Sequence, residues 1–517
     1  MRIRLVPGAF IPALIFASAG AWAQSPAIPN TLAGRAQQAA PAPTFRARTE
    51  LVQVSVIAQD KQGKPVADLR REEFQLFDNG APQEIRLFTS ETEKSNLAAP
   101  EVKAANTFTN RIAPPAGSHS GYSVILIDSL FTDADTIEAE GTSTLAKDRT
   151  LHMLRSIPTG EKIAIYAQER KLRVICEFTT DRDLLERQLR RWYPKIDTPG
   201  TTLRVFHEPG YRNPQNVRLS GNEAGGAELI DRLQRASAGD FEMGLVADHL
   251  AGIPGRKNLI WLTDKFAIGP RAIRKLNAAG VSIYPVDVDG VCGHCARPLG
   301  SPETIAALTG GVAYTRRNDL DIAMREAMDD GRVSYMLGFY PSVDDDSASQ
   351  GYQLTVSVSR KGVTLRYRTG YEAEPVRPVS ADPAADLVQA LNRPIDATAI
   401  PIKASVTRSQ DRLDLEAVLS LESLDLVQDN NLWTGKIEVV ARFTTADGII
   451  ASDVYSKTVT LNLTQASYDA AVRGGLPFHN VFEIPSKAVE MKLLFGNPAS
   501  GKIGTLTIPL SKVAASR

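Results

Sequence analysis

Two carboxylates stand where long apolar runs stop. Val124-Ile125-Leu126-Ile127 closes in Asp128, and Leu259-Ile260-Trp261-Leu262-Thr263 closes in Asp264. Such runs read as strands buried on both faces of a parallel sheet, and open α/β sheets bind ligands in the crevice beyond the carboxyl ends of their strands. Both carboxylates therefore belong to one crevice. Hard oxygen donors there suit Mg²⁺ or another divalent cation. Without a cation, Asp128 would instead cap the next helix or accept from loop N–H groups.

Other motifs carry less chemistry. Cys292-Gly293-His294-Cys295 has the form of a thiol–disulfide exchange site, with a histidine able to lower a thiol pKa. Redox catalysis needs the first cysteine at a helix N-terminus behind a thioredoxin-like strand, whereas this pair lies in a Gly-containing loop between Asp289 and Pro298. A disulfide between Cys292 and Cys295 that tightens the loop, or a metal pair, is the plainer expectation. Cys176, inside Val174-Ile175-Cys176, reads as a buried free thiol. Gly496-Asn497-Pro498-Ala499-Ser500-Gly501-Lys502 resembles a phosphate loop, but Ile503 replaces the required hydroxyl and a strand follows where a helix is needed. It reads as a hairpin loop. No His-Glu-x-x-His pair and no Ser/His/Asp arrangement is legible, and Gly117-Ser118-His119-Ser120-Gly121 puts histidine where a nucleophilic serine would stand.

The elements that position Asp128 and Asp264 follow from periodicity. Strands are expected at 122–128, 161–168, 171–178, 257–263, 281–287 and 311–315, and helices at about 138–156, 181–193, 226–252, 269–279, 301–309 and 318–331. Strands alternating with helices predict a doubly wound, mostly parallel α/β sheet over 120–332, with the pair 161–178 as its antiparallel edge. Before it, residues 45–92 alternate as β structure, and Phe74-Gln75-Leu76-Phe77 and Ile85-Arg86-Leu87-Phe88 flank the turn Asp78-Asn79-Gly80 as a hairpin signal. After it, residues 333–373 return to strands. Each piece is near the roughly 40-residue limit for an independent core, so the two are expected to pair into one sandwich with the α/β domain inserted. Linkers are expected at 24–44, 93–119 and 374–394. Residues 395–517, with about seven short strands, fit a second β-sandwich.

The 517 residues suggest about three domains. Basic and acidic residues balance at 59 each, and Arg187, Arg190 and Arg191 share one predicted helix without interleaved aromatics, which argues against a nucleic-acid partner. Three cysteines exclude a disulfide scaffold. The first 23 residues carry Arg2 and Arg4, a short apolar run and Ala21-Trp22-Ala23 before Gln24. This reads as a cleaved secretory signal, and no stretch is apolar enough over about 18 residues to span a bilayer. A secreted or periplasmic location is expected.

The segments "QVSVIAQDKQGKPVADLRREEFQLFDNGAPQEIRLF", "SVILIDSLFT", "EKIAIYA", "CEFTTD", "GRKNLIWLTD", "VSIYPVD" and "SYMLGFYP … LRYRTGYEA" together resemble bacterial, acidobacterial-type von Willebrand factor A-related proteins over residues 45–373. The resemblance implies a von Willebrand factor A-like α/β domain with a binding habit. In metal-binding members an Asp-x-Ser-x-Ser motif, a loop threonine and a later aspartate hold Mg²⁺, and an open position takes a partner's carboxylate. Asp128 and Thr132 match, Thr201 or Thr202 after Gly200 supplies the loop hydroxyl, and Asp264 matches the last aspartate. Leu130 replaces a serine and cannot coordinate, so the site is degenerate, with Ser129, Asp133 or Asp135 as substitutes or an extra water in its place.

Three functions compete. The first is an exported, non-enzymatic binding or adhesion module that recognises a protein or cell-surface ligand at the sheet's carboxyl-end crevice. The second is an exported thiol–disulfide oxidoreductase or isomerase using Cys292 and Cys295. The third is a structural envelope scaffold.

Overall fold

The computed structural model describes residues 51–91, 106–112, 121–128, 137–157, 160–169, 172–193, 240–263, 266–288, 290, 301–341, 352–371, 390–391, 394–451 and 454–514. Within them the chain forms several sheets around separate cores.

In strand Val52–Gln59, Val54, Val56 and Ala58 turn inward. That strand pairs antiparallel with Ser334–Phe339, Val52 standing opposite Phe339 and Val56 opposite Tyr335. Thr364–Arg366 and Leu87–Glu91 complete this sheet. A second sheet joins Phe74–Asp78, Ala81–Gln83, Tyr352–Val358 and Gly370–Tyr371. Phe74, Leu76, Tyr335, Leu337, Phe339 and Leu354 fill the space between the two.

The turn at Asn79-Gly80 differs from expectation in its second strand. Both residues adopt the left-handed backbone (φ 47° and 81°) that a two-residue hairpin turn requires. They join Phe74–Asp78 to Ala81–Gln83, however, and Leu87–Glu91 crosses to the opposite sheet. Pro82 has no N–H to give a further neighbour, so the hairpin's second strand is short and lies at the edge.

The strands between these segments are β1 (Tyr122–Asp128), β2 (Lys162–Gln168), β3 (Leu172–Thr179), β4 (Lys257–Thr263) and β5 (Val281–Asp287). They form one sheet in the order β5-β4-β1-β2-β3, parallel throughout except that β3 runs antiparallel to β2 at the edge. Helices α1 (Ile137–Ser156), α2 (Arg182–Arg191), α3 (240–250), α4 (Pro270–Ala278), α5 (Pro302–Thr309) and α6 (Leu320–Asp329) accompany it. Ile125, Ile127, Ile163 and Ile165 pack with residues of α1, α2 and α6. Val124, Leu126, Ala164 and Tyr166 pack with residues of α3 and α4. Burial on both faces is why these strands are apolar runs with no alternation.

The helices begin where their sequences give them caps. The Asp181 carboxylate accepts from Leu184 N at 3.0 Å to open α2, and Ser301 Oγ accepts from Thr304 N at 3.2 Å ahead of Pro302 in α5. Gly310 ends α5 in the left-handed conformation (φ 78°). The strand expected at 311–315 is reduced to a single bridge between Tyr314 and Val286, and Gly311 ahead of it lies against the Ile283 backbone with no room for a Cβ.

The C-terminal part has two sheets around one core that includes Val406, Leu415, Val439, Phe443, Leu493 and Phe495. Among the described residues it has eight strands of its own, of which Leu432–Thr445 spans 14 residues. Two features lie outside the expected pattern. Thr107–Thr109, inside the stretch read as a linker, pairs with Ile402–Ser409 as an edge strand. Asn110 fixes it there, donating to Ala397 O and Ile400 O and accepting from Ile402 N. A helix, Gln465–Gly474, follows the cap Thr464. The loop 497–502 joins two antiparallel strands, as its sequence indicates for a hairpin. No described helix is long and apolar enough to cross a membrane.

Candidate functional site

Asp128 is the last residue of β1 and only 2% exposed. Taking a carboxylate out of water costs several kcal/mol unless donors replace the lost hydration. One donor is the neighbouring strand's indole: Trp261 Nε1 donates to Asp128 Oδ2 at 2.9 Å. Phe266 packs edge-on against Trp261 with ring centroids 5.4 Å apart and holds it in place.

Strand register extends this pair into a row. Asp128 stands opposite Gln168 of β2, Thr263 of β4 stands opposite Asp287 of β5, and the pairing of Ile127 with Leu262 sets Thr263 beside Asp128. Side chains two residues apart share a face. Leu126, Tyr166, Trp261 and Ile283 belong to the core beneath α3 and α4, so parity places Gln168, Asp128, Thr263 and Asp287 on the face above that core. Adjacent strands are about 4.8 Å apart. Four parallel strands thus end in four oxygen-bearing side chains on one face, of which Gln168 and Thr263 are fully buried and Asp287 is half-buried.

The donor chemistry fits a hard cation: two carboxylates, an amide and a hydroxyl, with no sulfur or imidazole. A carboxylate offers about four lone-pair positions, and the indole uses one, so the Trp261 bond is compatible with a metal on Asp128. Among the described residues no three His, Cys, Asp or Glu side chains gather closely enough to form a cage by themselves. Thr132, Thr201 and Asp264, as well as Leu130 and its proposed substitutes, lie outside the described residues, and so do Cys292 and Cys295.

The structure brings Asp128 together with residues that the motif reading passed over. Trp261 lies 133 positions away, and nothing in local spacing links it to Asp128. Gln168, Thr263 and Asp287 did carry a signal, since each closes an apolar run as Asp128 does. Attention to acidic motif positions alone missed them.

Cys176 is a buried free thiol. Burial pushes its pKa up, and the nearby Glu177 and Asp181 carboxylates push it further, so it is a poor nucleophile.

No family model matches the chain, and no curated protein matches it. Solved structures similar to it include proximal thread matrix protein 1 from the mussel byssus with a zinc-occupied MIDAS motif. That match is 14% identical, covers 42% of this chain and 46% of that chain, and has a TM-score of 0.26. A von Willebrand factor type A protein from Catenulispora acidiphila is 11% identical over 62% of this chain and 80% of that chain, with a TM-score of 0.20. The ArnB paralog VWA2 from Sulfolobus acidocaldarius is 10% identical over 84% and 74% of the two chains, also at 0.20. The chain spans about half the length of the mussel protein. Similarity at these TM-scores specifies neither fold detail nor function.

Proposed function

We propose that the protein is an exported, non-enzymatic binding module of the von Willebrand factor A type, which recognises a protein or cell-surface ligand at the carboxyl end of its parallel sheet. The observation that carries this reading is the row Gln168, Asp128, Thr263 and Asp287 closing four parallel strands on one face. Such an edge is where open α/β sheets bind ligands. Asp128 with Thr132, Thr201 and Asp264 would hold a divalent cation, and the bound cation would supply an open coordination position for a partner's carboxylate. Trp261 orients Asp128 and keeps its carboxylate fixed at the edge. Asp287, the half-buried member at one end of the row, would meet what approaches the site.

The test is thermal melting of the whole protein with Mg²⁺ or Mn²⁺. A ligand that binds only the native state stabilises it by RT ln(1 + [L]/Kd), about 2.7 kcal/mol at 100 Kd. Because Leu130 removes a ligand, wild-type protein should respond only at millimolar metal. Leu130→Ser should respond at lower concentration, and Asp128→Ala should not respond. Identical melting of wild type and Leu130→Ser, with and without metal at roughly 10 mM, would rule out the cation.

A further inference from the structure

We propose that His249 is a pH-dependent latch between the α/β unit and the C-terminal sandwich, closed when its imidazole is positively charged and weakened when the ring is neutral. This reading is independent of any ligand at the carboxyl end of the sheet.

His249 lies near the end of α3 and is only 6% exposed. Its Nδ1 stands 2.6 Å from the main-chain oxygen of Asp396. A carbonyl oxygen can only accept, so Nδ1 carries a proton. On the other side of the ring, Nε2 is 3.2 Å from Glu177 Oε1 of β3. With one ring proton committed to Asp396 O, Nε2 faces this carboxylate favourably only if it too is protonated, that is, if the ring is charged. A ring held between a carbonyl and a carboxylate, at the C-terminal end of a helix, is stabilised as the cation.

The surrounding charges are otherwise engaged. From β2, Tyr166 donates to Glu177 Oε2 at 3.2 Å and meets the His249 ring edge-on at 5.9 Å. Cys176, next along β3, belongs to the core on the other face of the sheet. On α3 itself, Asp248 pairs with Lys275 of α4 at 2.9 Å. The Asp396 carboxylate turns away to accept from Thr505 Oγ1, Thr507 Oγ1 and Thr507 N, with Lys492 3.9 Å off. Glu177 is therefore the carboxylate in contact with the ring.

The same place joins two cores. Thr398 N donates to Asp248 O at 3.0 Å, Thr398 Oγ1 donates to His249 O at 2.7 Å, and Gly252 N donates to Thr398 Oγ1 at 2.7 Å. The segment continues into the C-terminal sheet, where Thr505 N donates to Ala397 O. Packing is close enough that a Cβ on Gly252 would overlap Thr398. A change of charge on His249 is thus felt by hydrogen bonds that tie one unit to the other.

Burial pulls the His249 pKa down, but the Glu177 carboxylate, the Asp396 carbonyl and, last, the charge of the Asp396 carboxylate together raise it more, and the net shift is upward. Burial raises Glu177, and the contacts with His249 and Tyr166 outweigh it, so its net shift is downward. The signs define a window. A raised histidine contributes stability that is complete below its unfolded pKa, about 6.5, and is lost as pH rises through the folded value. A lowered carboxylate contributes above its unfolded value, about 4.3, and loses that contribution as pH falls through its folded value. The latch is closed between these limits and opens on the alkaline side.

Hydrogen exchange of the full chain, expressed as protection factors for residues 246–253 and 394–400, tests this. Protection should fall between about pH 6.5 and the folded pKa, by up to about tenfold per pH unit if the joint opens as one step. His249→Asn puts an amide N–H where Nδ1 stands and so keeps a donor for Asp396 O, but it cannot titrate, so its protection should stay flat across that range. Glu177→Gln should fold normally and move the wild-type midpoint to lower pH. If His249→Asn does not fold, Glu177→Gln still decides: a displaced midpoint supports the latch, and an unmoved one overturns it. A wild-type profile that matches His249→Asn would also overturn it.

Discussion

The two ends of the parallel sheet bury polar groups by opposite means. At the amino end the partners come from other parts of the chain. Arg256, just before β4, donates to Asn258 Oδ1, Ser55 Oγ, Tyr284 OH and Gly310 O, and so ties the sheet to the first sandwich. Arg332 reaches Glu161 at 3.0 Å, and Asn258 donates to Ala327 O. At the carboxyl end Trp261 of one strand donates to Asp128 of the next, beside a row of further oxygen-bearing side chains. The amino end is a seam between domains, whereas at the carboxyl end three of the four aligned side chains are buried and only Asp287 is partly exposed. A single sheet thus joins its neighbours at one end and, at the other, buries a row of oxygen-bearing side chains on its own strands.

Substitutions probe this division. Arg256→Met should have the largest effect, because it leaves Tyr284, Asn258, Ser55 and the Gly310 carbonyl without their donor. Losses of about 3–5 kcal/mol are usual when a buried charged partner is removed, and urea unfolding would read them. A loss under about 1 kcal/mol would mean that the amino end is not a seam. Trp261→Phe preserves the ring and removes the N–H from a buried carboxylate, so about 2 kcal/mol should be lost. If a cation binds Asp128, saturating Mg²⁺ should recover part of that loss, and an unchanged deficit would confine Asp128 to a structural role. Asp181→Ala is a control on an exposed carboxylate. Its side chain is 54% exposed and caps α2, so only about 1 kcal/mol should go. A larger loss than for Trp261→Phe would show that burial does not set the scale.

Much of this arrangement is legible in the sequence wherever the information is local. Val124 to Ile127 and Leu259 to Leu262 declare two-sided burial, Asp181 and Ser301 mark helix starts, and Gly310 marks a helix end. The signal fails where partners are distant. Asn79-Gly80 announces a turn, but nothing beside it reveals that Leu87 crosses to another sheet. Thr107–Thr109 joins a strand almost 300 positions away because Asn110 fits three main-chain groups there. The helix Gln465–Gly474 could have been found, since Thr464 is a cap residue and Gly475 a terminator. For the site, strand ends were readable one at a time, but their alignment into a row depends on register between strands.

The pairing of Glu91 with Ser334 and of Val52 with Phe339 has a consequence for how the chain emerges from the ribosome. The first strands to appear have no partners until the whole α/β segment has been made. Their ladder groups and apolar faces must wait, and edges of that kind recruit other chains. If the intervening segment folds as it emerges, it draws its two ends together and shortens the effective loop that the sandwich must close. The early strands then depend on the speed of translation through residues between 92 and 333, since every delay there lengthens the time they spend without partners.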